Sequence, residues 1–223
     1  MNEILQSPLY LDYLEDFITS ERKAKINDML RKRTNHFKIV VEDVYQLHNT
    51  SAVLRSCDVF GIQELMVIEQ KFGKRIDTEI ALGAQKWVDV NRFKTPESCV
   101  ESLKKQNYRI IATSPHHNSY MLEDFDITTP AAIFFGNEKT GVSPEIIEQA
   151  DGFIKIPMFG FTESLNISVS AAIIMFDISV RLRKSGLNWQ LNENDFFLKK
   201  LDWTKKSIRD IEGVEKRFLE LNG

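Results

Sequence analysis

Three short segments of this chain combine residue types that chemistry needs. The first is His48-Asn49-Thr50-Ser51-Ala52-Val53-Leu54-Arg55-Ser56-Cys57, which sets an arginine in a stretch otherwise fit for burial. A guanidinium is permanently charged and offers five donors in a planar fork, so it needs an anionic or oxygen-rich partner. That partner is either an acid of the chain, Asp58 or Glu138, or a phosphate or substrate oxygen. The second is Phe135-Gly136-Asn137-Glu138-Lys139-Thr140-Gly141-Val142-Ser143-Pro144, between an apolar run and a helix start, where open α/β sheets hold ligands. Gly136 and Gly141 have the spacing of a phosphate-binding P-loop, but Val142 stands where that loop requires lysine, which disfavours nucleoside triphosphates. A tight structural turn is the plainer reading.

The third segment runs from Ile154 to Ser170 and carries Glu163, Ser164 and Asn166 immediately before a long apolar helix. There, side chains and unpaired backbone N–H groups meet a ligand together. Ser164-Leu165-Asn166 taken alone is equally a helix cap. Other chemistries find less support. His116 and His117 are adjacent and point apart, with no carboxylate or cysteine at a ligand offset, so no metal is expected. There is no GxSxG elbow and no GxGxxG fingerprint.

Strands and helices alternate around these segments. Phe37–Val44, Glu64–Glu69, Val88–Phe93, Tyr108–Thr113, Ala131–Gly136 and Phe153–Met158 read as strands. Asn49-Thr50-Ser51 reads as the cap of a helix ending at Phe60 before Gly61, and Thr95-Pro96-Glu97 opens another to Asn107. Short helices are expected at Asp77–Ala84 and from Ser143-Pro144 to Ala150, and a long one over Leu165–Ser185 before Gly186. This alternation predicts an α/β domain with a largely parallel sheet over residues 37–186, flanked by helical extensions at 1–36 and 187–223. The long helix is apolar nearly all round at Ala171-Ala172-Ile173-Ile174-Met175-Phe176, which implies a subunit interface as well as a core.

Composition sets the bounds. Of 223 residues, 43% are hydrophobic and 27% charged, as in ordinary globular proteins, and the net charge is −3. Any nucleic-acid partner must therefore be held by a local patch, and Arg22, Lys23, Lys25, Arg31, Lys32, Arg33 and Lys38 make one that could anchor RNA. A solvated helix face is the competing reading. Cys57 and Cys99 form no CxxC pair, which suits a reducing compartment. The Met-Asn-Glu start lacks a signal-peptide pattern, and apolar stretches fall short of the ~20 residues of a membrane span. A cytoplasmic location without membrane partners is expected.

The three segments, in this order, resemble the motifs of the SpoU-type RNA 2′-O-ribose methyltransferases of the SPOUT superfamily. Asn49 to Arg55 is similar to motif one, Phe135 to Gly141 to motif two, and Ile156-Pro157-Met158 through Ser164-Leu165-Asn166-Ile167-Ser168-Val169 to motif three. Val40-Val41-Glu42-Asp43-Val44, Lys86-Trp87-Val88, the basic leading helix and a tryptophan-containing tail resemble the branch that methylates a guanosine ribose in the tRNA D-loop. Three departures stand out: Thr140 where an aromatic is frequent, Glu163 where glutamine is frequent, and residues 1–19 without a counterpart.

The resemblance implies an α/β fold whose carboxyl-terminal part forms a deep trefoil knot. It implies S-adenosylmethionine held by backbone around Thr113, Gly136, Ile156, Met158 and Leu165. It implies a homodimer in which Arg55 of one subunit completes the other's site, with Asn166 and Ser164 positioning substrate and cofactor and Glu138 and Asn49 holding the site together. Used as a base, Arg55 would need its pKa lowered by roughly five units, about 7 kcal/mol. Orienting an RNA phosphate and stabilising the developing alkoxide is the less demanding role. Ribosomal RNA is the alternative substrate; a catalytically inactive RNA-binding protein and a small-molecule α/β enzyme are the other readings.

Overall fold

Phe37–Glu42 is buried at every position, as a central strand covered on both faces must be. It is β1 of a seven-stranded sheet in a computed structural model that describes residues 3–44, 47–69, 77–114, 119–137 and 139–222. The other strands are β2 (Glu64–Ile68), β3 (Asp89–Phe93), β4 (Arg109–Thr113), β5 (Tyr120–Met121), β6 (Ala131–Phe135) and β7 (Gly152–Lys155). Their order is β3-β2-β1-β6-β4-β7-β5 and every pairing is parallel, with Val41 level with Val67 and Phe135.

Alternation along β1 divides the core between two faces. Phe37, Ile39 and Val41 pack with helices α3 (Leu47–Phe60) and α7 (Ile167–Lys184) through Val53, Leu54, Cys57, Ala171, Ile174 and Met175. Val40 packs on the other face with Cys99, Val100 and Leu103 of α5 (Pro96–Lys105) and Ile146 of α6 (Pro144–Ile147). Lys38 shares that second face. Its buried ammonium donates to Glu64 (2.9 Å) and Gln106 (2.8 Å) and lies over the Tyr108 ring, so it is part of the sheet and not of an RNA-facing patch.

β7 lies between β4 and β5, which are consecutive in sequence, and Thr113 and Tyr120 both flank Ile154. Insertion of a later strand between two consecutive ones is compatible with the knot that the resemblance implies.

Some boundaries differ from expectation for physical reasons. The α3 helix already includes Leu47, so Asn49, Thr50 and Ser51 lie inside its first turn. These side chains are buried, and Ser51 Oγ accepts from the Asp77 N–H (2.9 Å) instead of capping. The last long strand stops at Lys155, two residues before Pro157, which has no N–H for a ladder. The two-residue edge strand β5 is too short to leave a sequence signal. Thr95 does cap α5, accepting from the Ser98 N–H (3.2 Å).

Residues Met1–Arg33 and Gln190–Gly223 form a second compact unit, apart from Thr34–Trp189. It contains α1 (Pro8–Glu15), α2 (Ser20–Leu30), α8 (Glu193–Lys205) and α9 (Ile211–Asn222), with α1, α8 and α9 packed through Tyr10, Leu14, Leu201 and Phe218. Ion pairs help to hold these helices together. Glu15 pairs with Lys23 and with Lys200 (2.6 Å), while Glu215 accepts from Tyr10 Oη and Lys205 (2.8 Å each). Among the described residues no helix is long and apolar enough to cross a membrane.

Burial works to raise the Glu15 carboxyl, but hydrogen bonds from Lys200 and Lys23 outweigh it and hold the pKa below the usual 4.5. A lowered pKa gives stability that is complete above the ordinary glutamate range and is lost as pH falls through the lowered value. Circular dichroism during acid titration should show that loss. Glu15→Gln should be less stable than the native chain at neutral pH, and the two should converge in acid.

Candidate active site

The α3 and α7 helices run side by side in the same direction. Asn166 Nδ2 donates to Asn49 Oδ1 (3.3 Å) near their starts, Cys57 Sγ meets Met175 Sδ (3.8 Å) midway, and Arg183 donates to the Phe60 carbonyl (2.8 Å) at their far ends. Two helix N-termini thus converge beside the C-terminal ends of the strands, each presenting the positive end of its dipole.

Asn166 has its amide oriented by its partners. Its Oδ1 accepts from the Ser168 N–H (2.8 Å) and Oγ (2.6 Å), capping α7, so its Nδ2 faces Asn49. The cap reading and the site reading of Ser-Leu-Asn therefore coexist in one side chain. Asn49 is 2% exposed. Ser164 is exposed, and among the described residues it makes no hydrogen bond.

Arg55 follows a different course. It lies six residues after Asn49, about 240° around the helix, so it points away from the Asn49–Asn166 pair. Its side chain is exposed and, among the described residues, pairs with neither Asp58 nor any other group. Glu138 lies outside the described residues, as do His116 and His117. Val59, one turn after Arg55, is exposed, and α7 carries an exposed apolar stripe of Val169, Ile173 and Phe176. The Phe60 and Phe176 rings are 6.1 Å apart. This stripe accounts for the all-round apolarity of α7: one side faces the core and the other lies open.

The expected cofactor residues fall at the ends of three neighbouring strands. Thr113 closes β4, Gly136 follows β6, and Ile156 and Met158 follow β7, with Leu165 just before the α7 cap. Thr113 Oγ1 donates to the Phe134 carbonyl (2.9 Å) and is engaged by the sheet. Residues 156–165 make no hydrogen bond among the described residues, and Met158 to Leu165 are exposed. That run fits a cofactor bound through backbone.

The loop after β6 is closed by reciprocal bonds between Asn137 and Gly141 (2.9 and 2.8 Å). Asn137 Nδ2 also donates to the Asp43 carbonyl (2.6 Å), and its Oδ1 accepts from the Lys139 N–H (2.9 Å). A Cβ on Gly136 would lie 2.0 Å from the Gly141 carbonyl carbon, so this glycine permits the loop to fold back over β6. Asn137 escaped the sequence reading as a site residue, although an asparagine two residues before an exposed turn is a recognisable signal.

The six basic residues of the leading segment separate in the structure. Lys23 pairs with Glu15, Lys32 with Asp28 (2.7 Å), and Arg33 is buried with its guanidinium over the Trp203 ring. Arg22, Lys25 and Arg31 have exposed side chains without hydrogen-bond or ion-pair partners among the described residues.

A parallel α/β sheet with polar groups gathered at its C-terminal edge, over which two helix starts meet, is the arrangement in which open-sheet proteins bind ligands. The SpoU rRNA Methylase family profile matches residues 36–176, and the chain belongs to that family. It is 39% identical over 202 residues to the tRNA (guanosine(18)-2′-O)-methyltransferase of Borreliella burgdorferi, covering 91% of this chain and 93% of that one. Identity to the enzyme of the same name from Thermus thermophilus is 36%, covering 76% and 87%. The A. aeolicus TrmH/SpoU tRNA modifying enzyme superposes with a TM-score of 0.77 at 30% identity, over 84% of this chain and 97% of that one. The fold is shared with the SpoU methyltransferase AviRb of Streptomyces viridochromogenes in complex with AdoMet (TM-score 0.62, 21% identity, 71% and 65% covered).

Two substitutions probe this geometry. Asn166→Ala should cost about 2 kcal/mol in urea denaturation, roughly half from the cap and half from the bond to Asn49; Asn166→Ser should restore only the cap share. Gly136→Ala should destabilise the domain by at least about 2 kcal/mol, because the neighbour it meets is backbone and not a flexible side chain.

Proposed function

We propose that this protein transfers a methyl group from S-adenosylmethionine to the ribose 2′-hydroxyl of a guanosine in the tRNA D-loop. The observation that carries the reading is the joining of motif one to motif three by Asn49 and Asn166, with an exposed Arg55, unpaired among the described residues, turned out of the same helix. Identity to tRNA-modifying relatives over nearly the whole chain favours tRNA over ribosomal RNA. A cytoplasmic setting is part of the proposal.

The cofactor supplies an activated methyl on a sulfonium. Residues 156–165 and the backbone at Thr113 and Gly136 would hold it, and Ser164 and Asn166 would place it against the RNA. The converging starts of α3 and α7 favour negative charge at that point. Arg55 holds an RNA phosphate in its fork and stabilises charge developing on the ribose oxygen, while the proton leaves through phosphate or water. Alignment of hydroxyl and methyl supplies much of the acceleration.

Arg55 faces away from the Asn49–Asn166 pair of its own subunit, so we assign it to the site of a second copy. The stripe of Val59, Val169, Ile173 and Phe176 forms the contact in that homodimer. In the terminal unit, Arg22, Lys25 and Arg31 are the cations proposed to touch tRNA phosphates; Lys23, Lys32 and Arg33 chiefly shape the surface that presents them. We also assign Glu138 to the site by family resemblance.

Labelled S-adenosylmethionine with unmodified tRNA and rRNA transcripts, followed by nucleoside mass analysis, tests the reaction. 2′-O-methylguanosine in tRNA alone is expected; product only in rRNA would transfer the proposal to that substrate. Mixing inactive Arg55→Ala and Asn166→Ala subunits should regain about a quarter of native activity, because half of the dimers then carry one intact site. No regain despite subunit exchange would place Arg55 in its own subunit's site. Arg55→Lys keeps charge but loses the fork, so near-native turnover in that variant would remove the bidentate role.

A further inference from the structure

Glu42 ends β1 as a carboxylate that is only 4% exposed, on the face lined by Val40, Met66, Cys99 and Val142. Burial raises its pKa, and Asp43 and Glu145 add to the rise, against hydrogen bonding from Ser143. Removing a carboxylate from water is costly, so its retention here calls for a reason.

The geometry supplies one. Glu42 Oε2 accepts from the Ser143 N–H (2.9 Å), at the closing end of the loop that follows β6. The next residue, Asp43, has a φ of 43°, which turns the chain so that its carbonyl meets Asn137 Nδ2 (2.6 Å) at the opening end. Two consecutive residues, at the end of β1 and just beyond it, therefore grip both ends of one loop. Between the grips, Asn137 and Gly141 close on each other, leaving Lys139 and Thr140 exposed at the tip. Neither grip lies within the loop itself. The loop's position is thus tied to the strand that leads into α3, and so to Asn49 and Arg55.

We propose that Glu42 is a positioning residue for methyl transfer, fixing the 136–143 loop from outside so that its backbone meets the cofactor without prior rearrangement. The inference rests on the cofactor reading above. Glu42 touches no reacting atom. It acts through Ser143, and a side chain of the same shape with an acceptor oxygen should serve nearly as well.

Steady-state kinetics and hydrogen exchange on Glu42→Ala and Glu42→Gln test this. Glu42→Ala should raise KM for S-adenosylmethionine about tenfold with kcat changed less than about threefold, and Glu42→Gln should recover most of that loss. Without ligand, amides of 137–143 should exchange faster in Glu42→Ala while those of β2 and β4 keep native protection. Native KM and native loop exchange in Glu42→Ala would overturn the proposal. Equal loss of protection across the whole sheet, with Glu42→Gln no better than Glu42→Ala, would overturn it too and leave Glu42 as a stability residue. Calorimetry on the native protein separates the two readings: no cofactor binding there defeats the cofactor reading, while the ligand-free exchange still judges the grip.

Discussion

The alignment of α3 and α7, in one direction and on one face of the sheet, is the constraint on which the rest of the catalytic unit depends. Because both helices start at the same end, Asn49 and Asn166 meet where the strands also end. Both pack inward through Cys57, Ala171, Ile174 and Met175, while Val59 of α3 and Val169, Ile173 and Phe176 of α7 stay exposed. Helix rotation then decides where Arg55 goes: it shares a helix with Asn49 but cannot share its direction. A single packing choice thus fixes a polar junction, an apolar surface and a charged group aimed outward. Reversing either helix would separate Asn49 from Asn166 by the length of the helix.

Much of this was legible in the sequence, and for identifiable reasons. Continuous β-branched and aromatic runs such as Phe37–Glu42 and Ala131–Phe135 announce buried parallel strands. Thr and Pro at 95–96 announce a helix start. The all-round apolarity of α7 likewise announced more apolar residues than one buried face takes, and Val169, Ile173 and Phe176 lie exposed. The illegible parts depend on contacts between distant segments. Asn49, Thr50 and Ser51 are good cap residues by type, but their side chains are buried in the first turn, with Ser51 bound to Asp77. Lys38 lies in a basic stretch by position but in the sheet by alternation, which moves it from surface to core. Asn137 and Glu42 make bonds to segments about a hundred residues away, and no local pattern carries that information.

The terminal unit carries the same lesson for charge. A count of cations along the leading segment treats Arg22 and Arg33 alike, yet one is exposed and the other lies buried against Trp203. Lys23 and Lys200 both serve Glu15, joining α2 and α8 to α1. A small helical unit has limited apolar surface to bury, and such pairs fix which helix faces meet. What remains unpaired is a sparse set of cations. In a protein of net charge −3, a sparse set suits a substrate recognised by shape with phosphate contacts that position it.

The segment proposed to hold the cofactor differs from the rest of the sheet domain in its backbone pairing. Most backbone N–H and C=O groups find partners within the protein, and leaving them unpaired away from water costs free energy. Residues 156–165 leave theirs without partners among the described residues, immediately beyond the hydrogen-bonded ladder of β7. Pro157 helps to stop the ladder there, since it cannot donate. The Asn166 cap then starts α7 abruptly, so helix formation does not engage the preceding N–H groups. Strand termination at one end and helix capping at the other thus define a stretch of unpaired backbone. For a ligand with both donors and acceptors, such a stretch selects through the path of the main chain. On the proposed reading, Met158 and Leu165 would serve a polar site through their backbone although their side chains are apolar.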